Sequence, residues 1–200
     1  MRKLPLLALA AICGMPGLAA SSCSKAESQP LHQVSLKGAV YKGPMADGAS
    51  EPPILLAALR ERMLSLSATD ADGAFPYLVT PERVAWMRAR LDAAANGARP
   101  VLAVTLPVAL GGPDAARAYL KPYLRTPTYH ASWELQGFTA ADWETPGSDR
   151  LLDAMVATGS VDDARRRIDG LLAAGADHVA VIPVAPDGTT EHLPTLEAMA

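Results

Sequence analysis

The chain has 200 residues, half of them apolar and a fifth charged, the balance of a globular domain rather than a disordered chain. A net charge of −3 with no basic block leaves no Lys/Arg footprint for a nucleic-acid partner. The two cysteines, Cys13 and Cys23, both fall near the start. The rest of the chain therefore holds no Cys nucleophile, no Cys-ligated metal and no internal disulfide.

Met1-Arg2-Lys3 is a small basic start, an apolar run follows from Leu4 to Ala20, and Ala19-Ala20-Ser21-Ser22 lead to Cys23. The run is too short, and too broken by Gly14, Pro16 and Gly17, for a membrane span. It fits a secretory leader over residues 1–23. Small residues before a cysteine also resemble a bacterial lipoprotein signal, with Cys23 as the lipidated first residue, although Ala20 stands where leucine is usual. The expectation is an exported or membrane-anchored product; the rival is a mis-started leader ahead of a cytoplasmic domain. Residues 24–50 read as a linker, with one short strand or hairpin arm at Val34–Tyr41.

From residue 51 to 200 the pattern is that of one α/β domain. Pro53 to Leu59 is a short apolar run, expected as a strand buried on both faces. Met63, Leu64 and Leu66 then mark one side of a helix ending near Asp72-Gly73. Ala74 to Val79 is the second strand, and Thr80-Pro81-Glu82 starts the second helix, with Thr80 as N-cap and Pro81 at the first helical position. Connections this short between strand, helix and strand describe parallel βαβ units.

Val84, Met87, Leu91 and Ala94 give Glu82–Ala95 one apolar face, and Asn96-Gly97 ends that helix. Val101 to Leu110 is the third strand, with Pro107 expected at its end or at a bulge. Gly111-Gly112-Pro113-Asp114 opens a helix over Ala115–Leu124, with Ala116, Tyr119, Leu120 and Tyr123 on its buried side. Arg125 to Asp149 holds Tyr129, His130, Trp133, Phe138 and Trp143 among Thr, Pro and Gly. It reads as short inserted helices, either a lid or partner surface or a hydrophobic cap closing one end of the core. Leu151–Thr158 is a short helix, and Ser160 caps Val161–Ala174, whose stripe is Ala164, Ile168, Leu171 and Leu172. Gly175 and Asp177-His178 lead into the last strand, Val179–Val184, and Pro194–Ala200 makes a final helical turn.

The usual chemical signatures are missing. His32, His130, His178 and His192 lack metal-ligand spacing, so no metal is expected. Asp142 and Glu144 read as solvent-facing residues on a polar turn. There is no Gly-x-Ser-x-Gly elbow, no Walker loop and no Gly-x-Gly-x-x-Gly, so no catalytic residue is named.

Two blocks carry a family resemblance. One is Pro53-Ile-Leu-Leu-Ala-Ala-Leu59, Met63-Leu64, Ala71-Asp72-Gly73-Ala74 and Thr80-Pro81. The other is Gly147-Ser148-Asp149-Arg150-Leu151-Leu152-Asp153-Ala154 with Ala173-Ala174-Gly175-Ala176-Asp177-His178-Val179. Leu135-Gln136-Gly137-Phe138-Thr139 lies between them. In this order the blocks resemble the luciferase-like monooxygenase family, in particular its deazaflavin-dependent oxidoreductase branch, over about residues 50–186. The resemblance implies a partial (β/α)8 TIM barrel of about four parallel βα units, matching the family's C-terminal half, the fifth to eighth strands. It also implies a cofactor, coenzyme F420 or FMN, that carries the hydride or oxygen chemistry, and a small organic substrate.

The matched half resembles the part that holds the cofactor phosphate and tail. The loop commonly written Ala-Ala-Leu-Gly-Pro in the family is Ala57-Ala58-Leu59-Arg60-Glu61 here. By resemblance the cofactor-binding candidates are Ala58, Leu59, Arg60, Tyr77 and Thr80. Arg60 can pair with phosphate through its fork, but Arg-Glu in place of Gly-Pro argues against a tight backbone approach. The family's N-terminal half, which supplies the ring site and much of the substrate pocket, has no counterpart in these blocks. Reduced or lost activity is therefore expected, and the alternative is a non-catalytic exported or lipid-anchored half-barrel acting as a binding or structural module. Two open sheet edges predict at least a homodimer. His178 is expected to make a structural hydrogen bond.

Overall fold

The computed structural model describes residues 31–36, 39–44, 53–190 and 193–200, the first two stretches as backbone only. Cys23 and the leader lie outside the described residues. The chain divides into two compact units, Met1–Pro53 and Ile54–Ala200. In the first, β1 (Leu31–Leu36) and β2 (Ala39–Pro44) pair antiparallel, from Leu31 opposite Pro44 to Leu36 opposite Ala39. The expected arm at Val34–Tyr41 spans parts of both strands.

The second unit alternates strand and helix. It begins with β3 (Leu55–Leu56), α1 (Glu61–Thr69), β4 (Gly73–Ala74) and α2 (Pro81–Ala94). The long β5 (Val101–Ala109) follows, then four short helices: α3 (Pro113–Leu120), α4 (Pro127–Glu134), α5 (Ala140–Trp143) and α6 (Asp149–Met155). It closes with β6 (Ala157–Thr158), α7 (Val161–Ala173), β7 (His178–Pro183) and α8 (Leu193–Met199). Strands β3, β4, β5 and β7 pair side by side in chain order, and every pairing is parallel. That is the α/β arrangement of four consecutive βα units. The two-residue β6 adds a short parallel pairing at the far end of β5, Val108–Ala109 with Ala157–Thr158.

The strands differ from expectation in instructive ways. The run Pro53–Leu59 pairs only at Leu55 and Leu56, and both are half-buried rather than buried on both faces. β3 is an edge strand, so one side of it lacks a neighbour in this sheet. The second strand pairs continuously only at Gly73 and Ala74, with one more bridge from Tyr77 to Thr105. Leu78 ends it by taking φ +55°, a left-handed conformation costly for a leucine. Its side chain is fully buried, and that burial offsets the strain. Gly73 is dictated by space: a Cβ there would sit 1.9 Å from the Val101 carbonyl oxygen.

Pro107 neither ends nor bulges β5, but pairs in register with Ile182. The Thr105 N–H faces the Pro76 carbonyl on the β4 side, and residues two apart in a strand point the same way. The Pro107 nitrogen therefore faces the gap where β4 has run out, and no ladder bond is lost.

One core lies between the sheet and α1, α2 and α7, built from Leu64, Val84, Met87, Leu91, Leu102, Val104, Ala164 and Leu171. Helix α1 touches this core through Leu64, while Met63 and Leu66, expected beside it, are 38% and 41% exposed. Leu172, expected in the α7 stripe, is likewise exposed. The helix expected over Leu151–Thr158 stops at Met155, and Ala157–Thr158 becomes β6. Helix α7 starts as expected at Ser160, which forms a capping box with Asp163. A second core holds Leu78, Leu120, Leu124, Trp133, Phe138, Leu151, Leu152 and Met155. The inserted section 125–149 is thus packed hydrophobic material, anchored by the fully buried Trp133.

Candidate functional site

In a parallel sheet all C-terminal strand ends and the loops that follow them lie on one side, where α/β folds of this type place ligands. Here β3 leads into Ala57–Arg60 and β4 into Tyr77–Thr80, so the five candidate residues sit on adjacent loops. Arg83, in the first turn of α2, ties the loops together. Its guanidinium donates to the Leu59 carbonyl at 2.8 Å and lies over the Trp86 ring, 3.9 Å from the centroid.

The candidates differ in how much freedom they retain. Ala58 is buried and Leu59 half-buried. Arg60 is exposed and precedes α1 as an N-cap with extended backbone and no side-chain capping bond. The first-turn N–H groups of α1 are therefore not satisfied by an Arg60 side-chain cap. Thr80 is engaged on both sides: its hydroxyl accepts from the Arg83 N–H at 3.3 Å, and its own N–H donates to Gln136 Oε1 at 2.8 Å. Tyr77 is bonded phenol to phenol with Tyr119 and lies edge-on to Tyr123 and Tyr129, at 5.6 and 6.1 Å between centroids. Burial holds the Tyr77 and Tyr119 phenols far above their ordinary range, so both are neutral at any physiological pH. Tyr77, Tyr119, Tyr123 and Tyr129 form one ring cluster.

Two surface concavities among the described residues lie away from these loops. One, about 450 Å³, lies along α1 and is lined by Arg62, Met63, Ser65, Leu66 and Thr69. The other, about 310 Å³, lies between α6, β6 and α7 and is lined by residues including Asp153, Thr158, Asp163 and Arg167. Neither is lined by Ala58, Leu59, Arg60, Tyr77 or Thr80. No group of three or more His, Cys, Asp or Glu among the described residues is placed to hold a metal. His130 is structural, with a ring nitrogen 2.8 Å from the Leu124 carbonyl and its ring stacked on Trp143 at 4.9 Å. His178 is exposed, and the bonds expected of it are made by Asp177, whose Oδ2 accepts from the Leu102 N–H at 2.9 Å.

Gln136 and Asp142 are the residues whose importance the sequence concealed. Gln136 holds the Leu78–Thr80 loop against α4, accepting from Thr80 and donating to the Leu78 and Ser132 carbonyls at 3.4 and 3.2 Å. Asp142, expected in solvent, is only 7% exposed. It accepts from the Thr139 N–H at 2.8 Å, the Ser148 hydroxyl at 2.7 Å and Arg150 at 3.0 Å. The spacing Thr139-x-x-Asp142 is a capping box, and that was the available signal. Glu144, the other half of the pair, is exposed.

The Thr139 N–H, with Ser148 and Arg150 adding to it, holds the Asp142 carboxyl below its usual range. A depressed folded-state pKa contributes stability above the unfolded value, about 3.9, and that contribution is lost as pH falls through the folded value. Asp142→Asn is expected to cost about 1–2 kcal/mol at pH 7. The gap to wild type should begin to narrow below about pH 4 and go on narrowing as the pH falls further. Urea midpoints at pH 7 and pH 3 check this, and a gap of constant size would assign the stability elsewhere.

No curated protein matches the chain. Among solved structures, the coenzyme F420 dependent tetrahydromethanopterin reductase from Methanopyrus kandleri superposes with a TM-score of 0.45 at 16% identity, over 66% of this chain and 45% of that one. An F420-dependent secondary alcohol dehydrogenase, in complex with an F420-acetone adduct, superposes with a TM-score of 0.48 at 11% identity, over 76% and 50%. The chain thus spans about half the length of both. Sequence places it more firmly: the family model of luciferase-like monooxygenases matches residues 32–178, most of the chain, and the protein belongs to the luciferase-like monooxygenase family.

Proposed function

We propose that this chain is the phosphate- and tail-binding portion of a flavin- or deazaflavin-dependent oxidoreductase, with coenzyme F420 as the first candidate cofactor and FMN as the second. Family membership over residues 32–178 supports oxidoreductase chemistry, and the resemblance of the sequence blocks to the deazaflavin branch supports the choice of cofactor. The observation that carries the reading is Arg60. Among the described residues it is a cation without an ion pair, at the uncapped N-terminus of α1, where a parallel strand delivers it to the ligand side of the sheet.

The residues present fit one end of such a cofactor and not the other. Arg60 and the first turn of α1 suit a phosphate, whereas Tyr77 is held within a cluster of tyrosine rings, and neither of the two concavities is lined by the candidate residues. No chemical step is therefore assigned to this chain alone, and reduced or absent turnover is the expected behaviour. That mismatch favours a second reading: a non-catalytic module, exported or held at a membrane through Cys23. No helix among the described residues is long and apolar enough to cross a membrane.

Titrating the chain with F420 and with FMN, followed by cofactor fluorescence, separates the two. Saturable binding at micromolar concentration is expected, with Arg60→Ala weakening it about tenfold by removing one charge-assisted bond. Thr80→Ala should weaken it less, because both of its polar groups are already engaged within the protein. A folded sample that binds neither cofactor would leave the non-catalytic module.

A further inference from the structure

We propose that the two lateral edges of the α/β unit form a docking surface for a second copy of this chain, arranged about a two-fold axis. The sheet ends at β3 on one side and β7 on the other. Central β5 is buried along almost its whole length, whereas Leu55 and Leu56 of β3 and Val179, Val181 and Ile182 of β7 are only half-buried. These edge strands carry side chains suited to a covered interior and, among the described residues of this unit, lack the cover.

The helices repeat the pattern. They stack in the order α1, α2, α7, α8, so α1 and α8 are the end helices. Six large apolar side chains are exposed among the described residues, and four lie on those two helices. Met63 and Leu66 line the groove along α1, and Leu193 and Leu196 are 60% and 42% exposed on α8.

Charge decides the partner. Arg62 lines the same groove as Met63 and Leu66. Glu197 lies four residues after Leu193 and one after Leu196, on the helical face they share. Both charges are exposed, and among the described residues neither has an ion pair or hydrogen bond. A two-fold axis parallel to the strands brings β3 of one copy against β7 of the other, keeps every strand parallel and closes both edges at once. The same operation sets α1 against the partner's α8, with apolar side chains facing apolar ones and Arg62 facing the partner's Glu197. An interface of this kind is complementary only to itself.

The test is the oligomeric state of the full chain, measured by sedimentation equilibrium in a mild non-ionic detergent that keeps its apolar start dispersed. The expected particle has twice the 20.9 kDa mass of the chain. Arg62→Glu and Glu197→Arg each set like charges opposite one another at two symmetric places, so each should raise the dimer Kd about tenfold. The double reversal restores attraction and should return Kd to within about threefold of wild type. Both sites are exposed, so circular dichroism should not change. A 20.9 kDa particle at every concentration would overturn the proposal. A dimer indifferent to the single reversals, or one the double reversal does not rescue, would also overturn it.

Discussion

Trp133→Ala is expected to destabilise the α/β unit by about 3–5 kcal/mol, a large share of the about 5–15 kcal/mol that holds a typical domain. The indole is fully buried: it packs on Tyr129 and His130 of its own helix α4 and on Trp143 at the end of α5, within a core that also holds Leu120, Leu151 and Met155. With several short helices held by one side chain, collapse around the deletion is limited, and the cavity cost adds to the lost transfer energy. The indole Nε1 finds no hydrogen-bond partner although it is buried. Trp133→Phe should therefore lose volume but no polar bond, and cost no more than about half as much. Urea unfolding of the two variants measures the difference. A loss below 1 kcal/mol for the alanine variant would mean that the inserted helices are a detachable flap rather than a second core.

The fold was legible where local chemistry and global packing agree. Thr80-Pro81 and Ser160 with Asp163 mark helix starts by mechanisms confined to one turn, and both helices begin there. The four strands were visible as apolar runs, because a parallel sheet covered by helices needs them. What could not be read depends on neighbours distant in sequence. Whether Pro107 breaks β5 depends on where β4 stops, and that is set by the left-handed turn at Leu78, 29 residues earlier. Whether Met63 and Leu66 are core depends on which helices flank α1, and among the described helices the only substantial contact is with α2. At the candidate site, Arg60 and Thr80 were picked out by the family resemblance, and local chemistry alone marked Thr80 only as a helix cap. Gln136, which occupies the Thr80 N–H from 56 residues away, was not. The Tyr77–Tyr119 pair likewise joins residues 42 apart that no local period connects.

Asp177→Ala is expected to cost about 3 kcal/mol, because a single carboxylate joins three otherwise separate pieces of chain. One oxygen accepts from the Leu102 N–H at 2.9 Å and from Arg88 at 3.2 Å, and the other accepts from Arg99. The Leu102 N–H lies at the start of β5, so the bond extends the β5–β7 pairing one step below its first register pair, Ala103 with His178. Arg88 reaches the carboxylate from α2, where its guanidinium also donates to the Pro100 carbonyl at 2.8 Å. Its stem packs against Gly175, where an added Cβ would come within 2.8 Å of Arg88 Cγ. Removing the carboxylate leaves a largely buried guanidinium short of one partner and a strand N–H with none, and unmet buried groups cost more than made bonds return. The partners are not equal. The Arg88 side chain is 9% exposed and that of Arg99 55% exposed, so Arg99→Ala should cost under about 1 kcal/mol and Arg88→Ala several times more. Asp177→Asn keeps an acceptor for Leu102 while losing the charge, and should fall between alanine and wild type. A double-mutant cycle between Asp177 and Arg88, read by urea unfolding, should give a coupling above about 1 kcal/mol. Additive losses instead would mean that α2 is fixed to the sheet by its apolar face alone and that Asp177 serves only the strand.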